Sequence, residues 1–370
     1  MGKNTVNNRK KKLAKLRKKS AATLNVASLT TDELLTRAQE QIDCFHYERA
    51  QYLCQEALKR DPDNVSALET SSSLCLEVGN LDGAKHCLGR AITLKSEEGY
   101  AKYMSMAQLL EGKESLQCYQ KGIEILTKVI TGLQHSVKEN KAKYLVRQLS
   151  TANCSVAELF MTDLCDEEGA EEQCRSSITN AIQADSNNPE AYQLMASFLL
   201  VKQNLEEAKT YITNSIEIWL PKYKEVDEGK ATAGTFDPVE VCPLSYTTRL
   251  STARILIEVE DHKHAVEVLE GLTEENDEVV DTWYLLGWSN YLQGGDHKDS
   301  AKFYLHRAMQ VMNASFAYIE DLLYMRENVI QPSNKFDISY DTCHVVISPL
   351  AEIFSPRTLH YPFRACGSTG

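Results

Sequence analysis

Two sets of charged side chains are spaced for opposite electrostatic work. Residues 1–19 hold nine bases (Lys3, Arg9, Lys10, Lys11, Lys12, Lys15, Arg17, Lys18 and Lys19) and no acid. A cationic run of that density suits a polyanion or an acidic receptor surface. The remaining residues reverse the sign: of 40 Lys and Arg in all, 31 are left to face 52 Asp and Glu. An acidic body attracts cationic protein segments and repels phosphate. Covalent and redox chemistry, by contrast, lack their usual groupings. An acid-base or nucleophilic centre needs convergent groups, typically on a glycine-rich turn or beside a triad partner. The chain has no phosphate-cradling glycine loop, no dinucleotide fingerprint and no zincin helix. His262 and His264 stand two apart without a C-x-x-C pair, which suits solvent-facing histidines better than zinc ligands. The expectation is a binding protein without enzyme activity, cofactor or metal.

Composition narrows the setting. With 43% hydrophobic and 25% charged residues over 370 positions, the chain has enough apolar surface for a full core. No stretch approaches about 18 apolar residues in a row, and the first residues are too polar for a signal-peptide core, so neither a membrane span nor secretion is expected. Eleven scattered cysteines fit a reducing compartment and packing roles better than a disulfide framework.

The elements that position these charges come from an internal repeat. Ala38, Ala50, Ala57 and Pro62 carry the spacing of small residues and proline found in the tetratricopeptide repeat of about 34 residues. Similar frames start at Thr31, Val65, Tyr100, Ser155, Pro189, Tyr246 and Val280, interrupted by insertions near 132–142 and 222–243. Each frame is a pair of helices, A and B, that cross closely only where side chains are small. Helix A offers Ala38, Ser72, Ala107, Ala196, Ala253 and Gly287; helix B offers Ala50, Ala84, Ser115, Ala208, Ala265 and Ala301. The third frame is short between its helices, and the fourth is the weakest. The insertion at 222–243, with Gly229, Gly234, Pro238 and Pro243, reads as a loop, and SFAYIEDLLYMREN reads as a final capping helix. The fold expected is all-α, a right-handed tetratricopeptide superhelix over 29–328 between a disordered basic arm (1–28) and a proline-interrupted, disordered tail (329–370).

Solenoids of this kind bind extended segments on the concave face lined by their A helices. Positions 2, 5, 9, 12 and 13 of each frame place Asp32, Asp43, Glu69, Glu77, Glu111, Asp163, Asp166, Glu167, Glu190, Glu258 and Asp281 there, with Arg254 as the one base. Tyr284 and Trp288 stand among them, offering cation-π contacts and apolar surface for the stems of Lys and Arg. The Lys, Arg and Asn clamp by which some tetratricopeptide co-chaperones grip a carboxylate is missing: Leu35, Glu69, Gln193, Leu250 and Tyr284 occupy those positions. A strongly basic protein segment is the ligand whose charge fits, and nucleic acid is not expected in the groove.

With NNRKKKLAKLRKKS, CDEEGAEE, TWYLLGWSNYLQGG and AYIEDLLYMREN in place on this succession of frames, the chain resembles the dedicated assembly chaperones of large-subunit ribosomal protein four, over about residues 30–325. The resemblance implies a basic client loop along the concave face, and travel between cytoplasm and nucleus. Shielding would follow: carboxylates cover a Lys- and Arg-rich segment until the client enters the pre-ribosome. The bases Arg9, Lys10, Lys11, Lys12, Lys15, Arg17, Lys18 and Lys19 would meet an import receptor or RNA. One departure is the ending VISPLAEIFSPRTLHYPFRACGSTG, nearly neutral where family members tend to carry an acidic extension. The alternative reading is a scaffold or adaptor subunit of a multi-protein complex.

Overall fold

The computed structural model describes residues 26–133, 139–227 and 241–329. The arm bases from Arg9 to Lys19, the middle of both insertions and the tail beyond Val329 lie outside the described residues. Fourteen α-helices and no strand occur among those described, in two compact units, Met1–Val129 and Ile130–Gly370.

The first unit pairs α1 (Thr31–Asp43) with α2 (Tyr47–Arg60), α3 (Val65–Glu77) with α4 (Leu81–Leu94), and α5 (Tyr100–Ala107) with α6 (Gly112–Thr131). The second pairs α7 (Glu139–Met161) with α8 (Ala170–Ala184), α9 (Pro189–Val201) with α10 (Leu205–Asp227), α11 (Tyr246–Glu258) with α12 (His262–Glu275), and α13 (Val280–Gln293) with α14 (Lys298–Val329). This is the tetratricopeptide-repeat fold. Four of its A helices start where polar side chains satisfy the first backbone N–H groups. Thr30 forms a reciprocal capping box with Glu33, Asn64 accepts from the Ala67 amide, Asn188 from Glu190 and Ser245 from Thr248. Successive A helices touch throughout the second unit, as do α1 and α3 in the first, and within each unit each B helix packs on the A helix that follows it.

The crossings are built from the small residues that the spacing singles out. Ala38, Ala50, Ala84, Ala196, Ala208, Ala253 and Ala265 are fully buried. At Gly287 a Cβ would stand 2.6 Å from Leu305 Cγ and 3.0 Å from the Leu305 backbone nitrogen, so only glycine lets α14 approach α13 this closely. The shortened third pair keeps its crossing through a hydrogen bond, Ser115 Oγ donating to the Ala107 carbonyl at 2.7 Å.

Three elements depart from the expected boundaries. Ser155 does not start a helix; it lies inside α7, and the crossing is made by Ala157, whose carbonyl accepts from Cys174 Sγ at 3.7 Å. The turn from α7 to α8 is correspondingly long, which displaces helix A from the frame set by helix B. Residues 222–227, expected within a loop, continue α10 past Pro221. Packing explains this. Tyr223 lies against Gly271 and donates to its carbonyl at 3.3 Å, Lys224 pairs with Glu267, and the Arg249 guanidinium sits 5.8 Å from the Tyr223 ring centre. Finally, the run expected as a separate capping helix is the distal part of α14, continuous with the last B helix.

Candidate functional site

In the first unit the acids assigned to the inner face are already engaged to different degrees. Asp32 is exposed in the first turn of α1, and Asp43 at its end accepts from Gln39 Nε2 at 2.9 Å. Glu77 closes α3 and accepts from the Tyr47 hydroxyl at 3.2 Å. Glu69 is half-buried on α3: burial pushes its carboxyl up, while Lys102 and Lys95 pull it back. Lys102, only 2% exposed, donates to the Lys95 carbonyl, so part of the Glu69 field is spent inside the unit. Glu111 lies between α5 and α6, where its carbonyl accepts from Ser115 N, rather than on an A helix.

The second unit gathers its carboxylates differently from the frame. Asp163, Asp166 and Glu167 fall in the α7–α8 turn, not on an A-helix face. That is a correction to the Ser155 frame and follows from the long turn. With the crossing at Ala157, the residue one step further along α7 is Glu158, an acid the frame missed. Its side chain reaches solvent, yet protein packed around it and the nearby Glu190 charge push its pKa up to about 7. Glu190, in the first turn of α9, is pushed up by burial, as is Glu258 at the end of α11. No described base forms an ion pair with Glu158, Glu190 or Glu258. Carboxylates that are reachable and held above their ordinary range lower their energy when a cation arrives. The buried thiol of Cys154 is pushed well above its ordinary value by burial and then by the charges of Glu190 and Glu158.

Asp281 is tied at 2.7 Å to Arg254, the base that the repeat frame assigns to this face. Gln193 is buried and donates to the Thr248 carbonyl at 3.2 Å, which makes it part of the floor. Tyr284 is half-buried and its phenol is pushed up by burial. Trp288 stacks on Tyr291 with ring centres 5.6 Å apart, and Tyr291 and Leu292 are exposed beside it. The face of α13 thus adds flat aromatic surface to the acids of α7, α9 and α11. What would have revealed Glu158 in the sequence is the choice of Ala157 as the small partner of Cys174. The spacing alone favours neither this alanine nor Thr162.

Other chemistry finds little support in the side chains. Among the described residues no group of three or more His, Cys, Asp and Glu could hold a metal ion. His264 Nδ1 lies 2.7 Å from Asp261 Oδ2 at the start of α12, a contact within the helix cap. Burial raises the thiols of Cys54, Cys154 and Cys174, the last to about 12, so these are packing residues. No described helix is long and apolar enough to cross a membrane.

No family model matches the chain. A protein of Schizosaccharomyces pombe named "Probable assembly chaperone of rpl4" is 31% identical over 299 residues, covering 79% of this chain and 83% of its own. A protein of Emericella nidulans with the same name is 28% identical over 299 residues, covering 75% of this chain and 71% of its own. The solved structure titled "Assembly Chaperone of RpL4 (Acl4) (Residues 1-338)" superposes with a TM-score of 0.63 at 26% identity, over 74% of this chain and 100% of that one.

Proposed function

The chain belongs to the family of assembly chaperones of rpl4, and on that premise we propose that it is a non-enzymatic escort for a basic large-subunit ribosomal protein, ribosomal protein L4 by kinship. The observation that carries the reading is the set of Glu158, Glu190 and Glu258 on successive A helices of the second unit, reachable from solvent, held above the ordinary carboxylate range and without a described ion-pair partner. A Lys- or Arg-rich segment laid across them relieves the repulsion between Glu158 and Glu190 and replaces solvent that the packing already restricts. Tyr284 and Trp288 take the aliphatic stems and stack on guanidinium groups. Exposed ion pairs are individually worth about 0–1 kcal/mol, so holding comes from many of them together and weakens with salt. The segment is thereby kept from promiscuous contact with RNA, and rRNA, with its higher charge density, displaces the carboxylates at incorporation.

The basic arm serves a separate step in this proposal: it meets an import receptor or RNA, and the protein passes between cytoplasm and nucleus. Affinity purification of the full chain with quantitative mass spectrometry tests the reading. One stoichiometric basic ribosomal protein of the large subunit supports it; a constant set of acidic subunits without such a client supports a scaffold instead.

A further inference from the structure

The second unit has a groove lined mainly by the B helices of two neighbouring pairs. It has a volume of about 580 Å³ between α8, α9 and α10, with Tyr192 and Met195 from α9, and Glu207, Thr210, Tyr211 and Asn214 from α10, on its walls. Thr179, Ile182 and Gln183 of α8 complete it, and no lining residue is a base.

The repeat supplies a template for what such a groove holds. One pair further on, the equivalent space between α10 and α12 is filled by this chain itself. Tyr223, from the continuation of α10 beyond Pro221, lies on Gly271, the Arg249 guanidinium sits 5.8 Å from its ring centre, and Lys224 pairs with Glu267. In the repeat frame Tyr192 stands where Arg249 stands, and Thr210 and Asn214 stand where Glu267 and Gly271 do. Helix α8 ends at Ala184 and turns directly into α9, so it sends no extension into its own groove. The filled groove joins a ring from one side to a guanidinium from the other. The open one already has the ring on the wall, Tyr192, 6.4 Å from Tyr211 and tilted by 35° to it. The complementary occupant therefore brings the cation. Glu207 supplies the counter-charge: its Oε2 accepts from Asn204 at 2.7 Å, leaving Oε1 for an incoming donor.

We infer that the α8–α9–α10 groove is a second docking site, distinct from the A-helix face, for an arginine-bearing segment of another protein, with the guanidinium stacked on Tyr192 and bonded to Glu207. Arginine fits better than lysine because its planar group stacks on a ring while donating in the plane. Met195 and Ile182 accept a neighbouring aliphatic side chain of the same segment.

The test uses the full chain and a fluorescein-labelled capped peptide, Leu-Arg-Ala-Leu-Arg-Ala, with its citrulline counterpart, followed by fluorescence anisotropy. The arginine peptide binds the wild type at least about fivefold tighter than the neutral one, since only the former is charged. Thr210→Arg, at an exposed position, plugs the groove with a cation from within and weakens arginine-peptide binding at least about fivefold; Glu207→Gln weakens it about threefold. Both losses persist when Glu158→Lys and Glu190→Lys are also present, which separates this site from the inner face. Arginine-peptide binding by Thr210→Arg and Glu207→Gln equal to wild type, or no preference for arginine over citrulline, overturns the inference. Loss in the Glu158→Lys, Glu190→Lys protein alone assigns the peptide to the inner face and also overturns it. Circular dichroism confirms folding, and should Thr210→Arg fail to fold, Glu207→Gln carries the test.

Discussion

Two glycine-to-alanine substitutions, chemically the same, are expected to change stability in opposite directions. Gly89 lies within α4, where an added Cβ meets nothing closer than Met106 Cε at 3.7 Å, an ordinary contact. Gly89→Ala therefore shows the helix preference of alanine alone and stabilises by about 0.5–1 kcal/mol. At Gly287 the same Cβ meets Leu305 Cγ at 2.6 Å, Cδ2 at 2.8 Å and the backbone nitrogen at 3.0 Å. The leucine side chain can turn away, but the nitrogen moves only if α14 does. Overpacking of about 1–3 kcal/mol then outweighs a propensity gain of about 1 kcal/mol, leaving a net loss of roughly 1 kcal/mol and a fall in Tm of about 2–4 °C. The three tryptophans, Trp219, Trp283 and Trp288, all lie in the second unit, so their fluorescence in a urea titration follows Gly287→Ala, while circular dichroism follows Gly89→Ala as well. A fluorescence midpoint raised by Gly287→Ala would refute the crossing at α13 and α14.

Glu158 gives a pH dependence. Its carboxyl titrates near 7 in the folded chain against an ordinary 4.5, so its contribution to stability is fully present below about pH 4.5 and is lost as pH rises through 7. Glu158→Gln removes that dependence, and the variant's Tm gains on wild type between pH 5 and pH 8; a constant gap contradicts the assignment. The same titration makes affinity for a basic segment rise from pH 6 to pH 8, because a protonated Glu158 attracts no cation. Under native conditions at pH 7.5, iodoacetamide should modify exposed Cys44 well before buried Cys154 and Cys174, as peptide mass mapping would show; equal rates would remove the packing role. Deleting residues 1–19 is expected to change localisation in cells while leaving affinity for a basic segment in place, and loss of affinity would make the arm part of the client site.

Much of the fold was legible because small residues at helix crossings are a packing requirement that leaves a regular trace. Thr31, Val65, Tyr100, Pro189, Tyr246 and Val280 each begin a helix as their frames require. The fourth pair escaped because the length of an A-to-B turn is not fixed by packing. Cys174 sits at the crossing on α8, yet the long turn moved its partner alanine to Ala157, and with it the acid from Asp163 to Glu158. The glycines and prolines from Gly229 to Pro243 argue for a loop, and only the pairing of Tyr223 with Gly271 and Lys224 with Glu267, far apart in the chain, keeps α10 helical to Asp227. For the site, charge was readable and engagement was not. Asp281 and Glu258 look alike in sequence, but Arg254 holds the first and no described base holds the second.

The most direct measurement is a calorimetric titration of a Lys- and Arg-rich client segment against three folded proteins at two ionic strengths. These are the wild type, Glu158→Lys with Glu190→Lys, and Asp163→Lys with Asp166→Lys and Glu167→Lys. Reversal at the two A-helix carboxylates replaces attraction by repulsion on the proposed contact face itself, and should weaken binding at least tenfold, about 1.4 kcal/mol, with a shallower dependence on salt. Reversal of the three turn acids, off the A-helix face, should cost less despite the larger change in charge. Equal affinities of the wild type and the Glu158→Lys, Glu190→Lys protein, or a greater loss in the turn variant, would contradict a client site on the A-helix face.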